Sequence, residues 1–113
     1  MARICFVELP SESIELSERF FKEAFGWKMT GFGPTYACTM TGDVDLGLQA
    51  DKADATKAPL AVIAVDDLEQ SLTAVQAAGG TISRQVFSFP GGRRFHFVDP
   101  SGNELAVLEA DKQ

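Results

Sequence analysis

DDLEQSLTAVQAAGG, residues 66–80, decides how this chain folds, because an equivalent stretch stands earlier in the sequence. Leu68, Leu72 and Val75 recur at helical spacing and so share one face. Asp66, with Glu69 three residues later, has the form of a capping box, and Gly79-Gly80 ends the helix. About 54 residues earlier lies ESIELSERFFKEAFG, residues 12–26. At that offset Ser13 meets Asp67, Ile14 meets Leu68, Ser17 meets Ser71, Phe21 meets Val75 and Gly26 meets Gly80. The earlier helix carries Ile14, Ser17, Phe21 and Ala24 as its apolar stripe, flanked by Phe20 and Phe25. Ser11 and Ser13 are its N-cap candidates, and Gly26 is its left-handed stop.

Working outward, strand-like segments surround both helices in the same order. Residues 3–10 read as a strand stopped by Pro10, and the first helix is followed by strand candidates at 27–32, 35–41 and 43–50. A polar, alanine-rich linker runs from Ala50 to Ala58. The order then begins again, with a strand at 59–65, the second helix, and strands at 81–89, 92–98 and 104–109. Duplication of a βαβββ unit explains the agreement, with module one at about 3–50 and module two at about 59–109. One such unit cannot bury both faces of its sheet. The expected fold is therefore α+β, a single domain over 1–113. In it two βαβββ modules form a curved, mixed, mostly antiparallel sheet with the helices on its convex face. The concave face is left as a cup, a natural place for a small molecule.

The bulk composition narrows the partners. A chain of 113 residues holds one core, and its 45% hydrophobic content is ordinary for a globular protein. A net charge of -6, with no basic cluster larger than Arg93-Arg94, argues against nucleic acid. The longest apolar run, Ala61 to Val65, is far short of the roughly 20 residues a membrane helix needs, so no membrane is expected. Cys5 and Cys38 read as reduced thiols, and the N-terminus lacks a signal-peptide pattern, so the expected compartment is the cytoplasm.

Four stretches together, RICFVELP (3–10), SERFFKEAFGWKM (17–29), IAVDDLEQSLTAVQAAGGTI (63–82) and FVDPSGNELAVLE (97–109), resemble the vicinal-oxygen-chelate superfamily. Its relatives include glyoxalase I, the bleomycin-resistance proteins and the extradiol dioxygenases. The resemblance implies that a divalent metal would be held by His, Gln or Glu on the first and last strands of each module. Those positions fall here on Phe6, Leu60, Ala106 and a fourth place near Leu46-Gly47. None of these side chains offers a donor atom, so no metal cofactor is expected, and glyoxalase I or dioxygenase activity is not favoured.

Strand alternation then supplies the rest of the expected cup. With Phe6 facing the cup, Glu8 does too; with Ala106, so do Glu104 and Leu108. Phe95 and Phe97 are assigned to the helix side, which turns Arg94 and His96 toward the cup. The expected ligand-binding set is Phe6, Glu8, Leu60, Arg94, His96, Glu104 and Ala106. His96, the only histidine, reads either as an acid/base or as a packing residue, and Arg94 either as an oxyanion clamp or as surface charge. Two functions follow from the resemblance and the residues. One is a metal-independent protein that binds a small organic molecule in the cup, as bleomycin-resistance relatives do. The other is a lyase-, isomerase- or dioxygenase-like enzyme with His96 or Glu8 as acid/base, which leaves room for an unconventional metal site. The resemblance also implies a homodimer.

Overall fold

The computed structural model describes residues 2–112, which contacts group into two compact units. One spans residues 6–60; the other runs from Ala61 onward and includes the chain's start through Cys5. The element order is the expected α+β repeat. The first half runs β1 (Arg3–Pro10), α1 (Ile14–Phe25), β2 (Thr30–Gly31), β3 (Tyr36–Cys38) and β4 (Asp45–Gln49). The second runs β5 (Leu60–Ala64), α2 (Leu68–Ala77), β6 (Thr81–Phe89), β7 (Gly92–Val98) and β8 (Glu104–Ala110). None of the helices described is long and apolar enough to cross a membrane.

In the first unit the strand order is β2-β3-β4-β1, with β4 parallel to β1 and β3 antiparallel to β4. Ser13 caps α1, its hydroxyl accepting from the Leu16 amide at 3.3 Å, and Gly26 ends the helix at φ 71°. That φ is left-handed, which glycine adopts without a Cβ clash. The expected apolar stripe of α1 is only partly used. No α1 residue is fully buried, Ala24, Phe20 and Phe25 are exposed, and half-buried Phe21 stacks on Trp27 at 5.4 Å. The strands that follow α1 are shorter than expected: β2, expected across 27–32, is only Thr30–Gly31, and β3 is three residues long.

The loop joining β3 to β4 is tied by one carboxylate. Asp45 accepts from Thr39 Oγ1 at 2.7 Å, from the Thr41 amide and hydroxyl at 2.8 Å each, and from the Gly42 amide at 3.1 Å. Desolvation pushes its pKa up, but those hydrogen bonds outweigh it and hold the group at about 2. Its folded pKa lies below the ordinary 3.8, so its stabilisation is present above about pH 4 and is lost as pH falls through about 2. In thermal melts, Asp45→Asn should therefore sit below the parent at pH 7, with the gap closing as both approach pH 2. A gap independent of pH would contradict this role.

In the second unit the order is β5-β8-β7-β6, with β8 parallel to β5 and antiparallel to β7. Asp67, not Asp66, caps α2, its carboxylate accepting from the Gln70 amide at 3.0 Å. The residue that matched Ser13 in the repeat is thus the true cap. Glu69, the other half of the expected capping box, is drawn away by Arg93 at 2.6 and 2.9 Å. Glu109 of β8 supplies a second cap, accepting from the Leu68 amide at 2.8 Å. Between α2 and the strands, Leu68, Phe95 and Val107 form a buried core, joined by Leu72, Val75, Ile82, Val86 and Phe97. Removing a fully buried phenyl ring leaves a cavity that strands and helix cannot both close. Phe95→Ala should cost about 3–5 kcal/mol in chemical denaturation. A loss below about 1 kcal/mol would mean that this cluster does not hold α2 to the sheet.

Candidate functional site

The core described above sets the faces of β7. Phe95 and Phe97 pack toward α2, so Arg94 and His96 point to the opposite side of the sheet. Register carries that face across the unit: His96 stands opposite Ala106, and Arg94 opposite Leu108. On the next strand Val62 pairs with Ala106 and continues that face. Arg94, His96, Glu104 and Ala106 therefore keep the common face expected of them, whereas Leu60 falls in the first unit.

Two further residues on this face were missed from the sequence. Plain alternation along β6 would separate Arg84 from Phe87. The strand is irregular, with register shifts between Ile82 and Arg84 and again between Arg84 and Phe87. Arg84 consequently stands opposite His96 and Phe87 opposite Arg94, while Ile82 and Val86 join the core under α2. Such irregularities re-aim side chains, and period-two reading cannot foresee them.

His96 is only 2% exposed. Its Nδ1 lies 3.0 Å from Glu104 Oε2, which also accepts from Ser83 Oγ at 3.1 Å. Its Nε2 is buried without a hydrogen-bond partner among the described residues. The Phe87 ring lies 5.9 Å from the imidazole, centroid to centroid. Arg84 places its guanidinium 3.7 Å over the same ring, and Arg94 approaches it at 5.4 Å. Burial is the main influence lowering the His96 pKa; the Glu104 hydrogen bond opposes it, and the Arg94 and Arg84 charges act with burial. Burial therefore favours the neutral imidazole, with one of its ring nitrogens free of hydrogen.

Phe6 and Glu8 stand in the first unit, where register puts them on one face with Gly47, Tyr36 and Cys38. The fourth inferred metal position is thereby resolved to Gly47 rather than Leu46. A Cβ at Gly47 would run into the Phe6 ring and the Tyr36 hydroxyl, so a larger residue there requires those side chains to shift. Glu8 is 2% exposed and accepts from Tyr36 Oη at 3.2 Å. A groove of about 350 Å³ opens on the other side of this sheet, beside Val7, Leu46, Trp27 and Val44.

Among the described residues, Asp67, Glu69 and Glu109 come close enough to share a cation. Their oxygens are already engaged in capping α2 and in pairing with Arg93. This is the negative charge a helix N-terminus favours.

The histidine makes its own test. Its folded pKa lies below the ordinary 6.5, so protonation favours the unfolded chain. The stability linked to neutral His96 is present above about pH 6.5 and is lost as pH falls through its lowered pKa. NMR titration of this single imidazole should give a midpoint below 6.5, and a midpoint above it would contradict the burial argument.

A family model described as the Glyoxalase/Bleomycin resistance protein/Dioxygenase superfamily matches residues 3–107. Comparison with curated proteins found no match. Among solved structures, a glyoxalase/bleomycin resistance protein/dioxygenase superfamily member from Vibrio splendidus 12B01 superposes with a TM-score of 0.70 at 19% identity, covering 98% of this chain and 100% of that one. Methylmalonyl-CoA epimerase from Mycobacterium tuberculosis gives 0.75 at 11% identity, over 96% and 88%. A Mn(II)-bound glyoxalase from Novosphingobium aromaticivorans gives 0.67 at 18%, covering 100% of this chain and 43% of that one. At such identities these likenesses are of fold.

Proposed function

This chain belongs to the Glyoxalase/Bleomycin resistance protein/Dioxygenase superfamily, and we propose that it binds a small organic molecule without a divalent metal. The ligand lies on the His96 face of the second unit. The observation that carries this reading is the His96 Nε2, a buried polar atom without a partner among the described residues. A buried acceptor left unsatisfied is costly, and a bound molecule relieves that cost. Phe87 offers a flat apolar surface, and the guanidiniums of Arg84 and Arg94 favour an anionic end. An aromatic acid has the right chemistry.

The residues do not fit the metal that the superfamily implies. Phe6, Gly47, Leu60 and Ala106 carry no donor atoms, and the space over Gly47 is filled by Phe6 and Tyr36. One observation favours a second reading, an enzyme with His96 as general base: a neutral imidazole oriented through Nδ1 by a carboxylate. Two free thiols, Cys5 and Cys38, support a cytoplasmic setting. The exposed Leu16, Phe20 and Phe25 of α1 support a second copy of the chain as partner.

4-Hydroxybenzoate, an aromatic acid that also carries an O–H donor, is the simplest probe. Titrated into the labelled protein, it should shift the His96 and Phe87 resonances, and Arg94→Gln should weaken binding about tenfold. Elemental analysis after incubation with nickel, zinc, manganese and iron(II) should find well under one metal per chain. One tightly held metal per chain, or no response of this face to 4-hydroxybenzoate, would overturn the proposal.

A further inference from the structure

We infer that Glu104 is a positioning residue that fixes the tautomer of His96, so that the ligand of this face must bring a hydrogen-bond donor to Nε2. The inference rests on the proposed binding face and specifies what that face selects. Three strands converge on a single oxygen: Glu104 Oε2 on β8 receives Ser83 Oγ from β6 and lies against His96 Nδ1 from β7. A carboxylate oxygen can only accept, so the imidazole hydrogen belongs on Nδ1. The Ser83 hydroxyl anchors the carboxylate from the opposite side and keeps that oxygen in place.

The other nitrogen follows by elimination. With a hydrogen on Nε2 as well, the ring would be a cation, which burial and the neighbouring Arg84 and Arg94 charges oppose. With the hydrogen on Nε2 alone, a buried donor would lack an acceptor among the described residues, and Nδ1 would set its lone pair against the Glu104 oxygen. The remaining state has Nδ1–H donating to Glu104 and a bare lone pair at Nε2. That lone pair accepts from an O–H or N–H and offers nothing to a carbonyl or ether oxygen. Glu104 thus acts through the imidazole rather than as part of the ligand-contacting wall that alternation alone assigned to it.

With a single histidine in the chain, the state can be read without ambiguity. Long-range nitrogen–proton NMR on the full chain at pH 8 should show a protonated Nδ1 and an unprotonated, pyridine-type Nε2. A protonated Nε2 in the parent protein would overturn the inference. Glu104→Leu should move the hydrogen to Nε2, whereas Ser83→Ala, which leaves the Glu104–His96 bond intact, should not. Retention of Nδ1–H in Glu104→Leu would show that Glu104 does not set the tautomer.

The ligand class is tested with a matched pair, 4-hydroxybenzoate and 4-methoxybenzoate. The first should bind at least tenfold more tightly and shift Nε2, and Glu104→Leu should abolish that preference. Equal binding of both would overturn the donor requirement while leaving the binding face standing. If neither binds while Nδ1–H is observed, the proposed face falls and the positioning role of Glu104 survives.

Discussion

The packing of Phe95 against Leu68 and Val107 is the constraint on which the rest of the second unit depends. A strand has two faces, and the large side chain that enters the core decides which is which. With Phe95 fully buried under α2, its neighbours Arg94 and His96 have to leave on the other side. Shifting β7 by one residue would put Arg94 and His96 under α2 and take both phenyl rings out of that core, at a cost of several kcal/mol. The chemistry of the site is thus set by a hydrophobic contact that no ligand touches.

The same alternation divides a pair of basic residues. In the sequence Arg93-Arg94 reads as one positive patch. In the structure Arg93 turns to the helix side, where it meets Glu69 and Glu109 at the start of α2. Arg94 turns to the His96 face and approaches Phe87 and Phe89. One arginine secures the helix and its neighbour shapes the site.

Much of this was legible in the residues alone. Period-two patterns in β1, β5, β7 and β8 and the repeated helices were enough for the α+β architecture, the element order and the sides of Phe95, Arg94, His96 and Ala106. What escaped depended on partners distant in sequence. The Asp66–Glu69 pairing looked like a cap locally, but Glu69 is held by an arginine 24 residues away and Asp67 does the capping. The bonds that Glu104 makes to His96 and Ser83 were hidden because nothing near it in sequence marks them as its partners. Arg84 and Phe87 were hidden by irregular pairing, which alternation treats as regular. The ambiguity between Leu46 and Gly47 yielded only to the register of β4 on β1.

Gly47 also bears on what the first unit can be changed into. The Phe6 ring and the Tyr36 hydroxyl occupy the volume that any larger residue at 47 would need. A donor side chain introduced at 47 would have to displace the ends of Phe6 and Tyr36, and with Tyr36 its bond to buried Glu8. The packing couples position 47 to two others, so a metal donor installed there calls for a matching change at Phe6 or Tyr36.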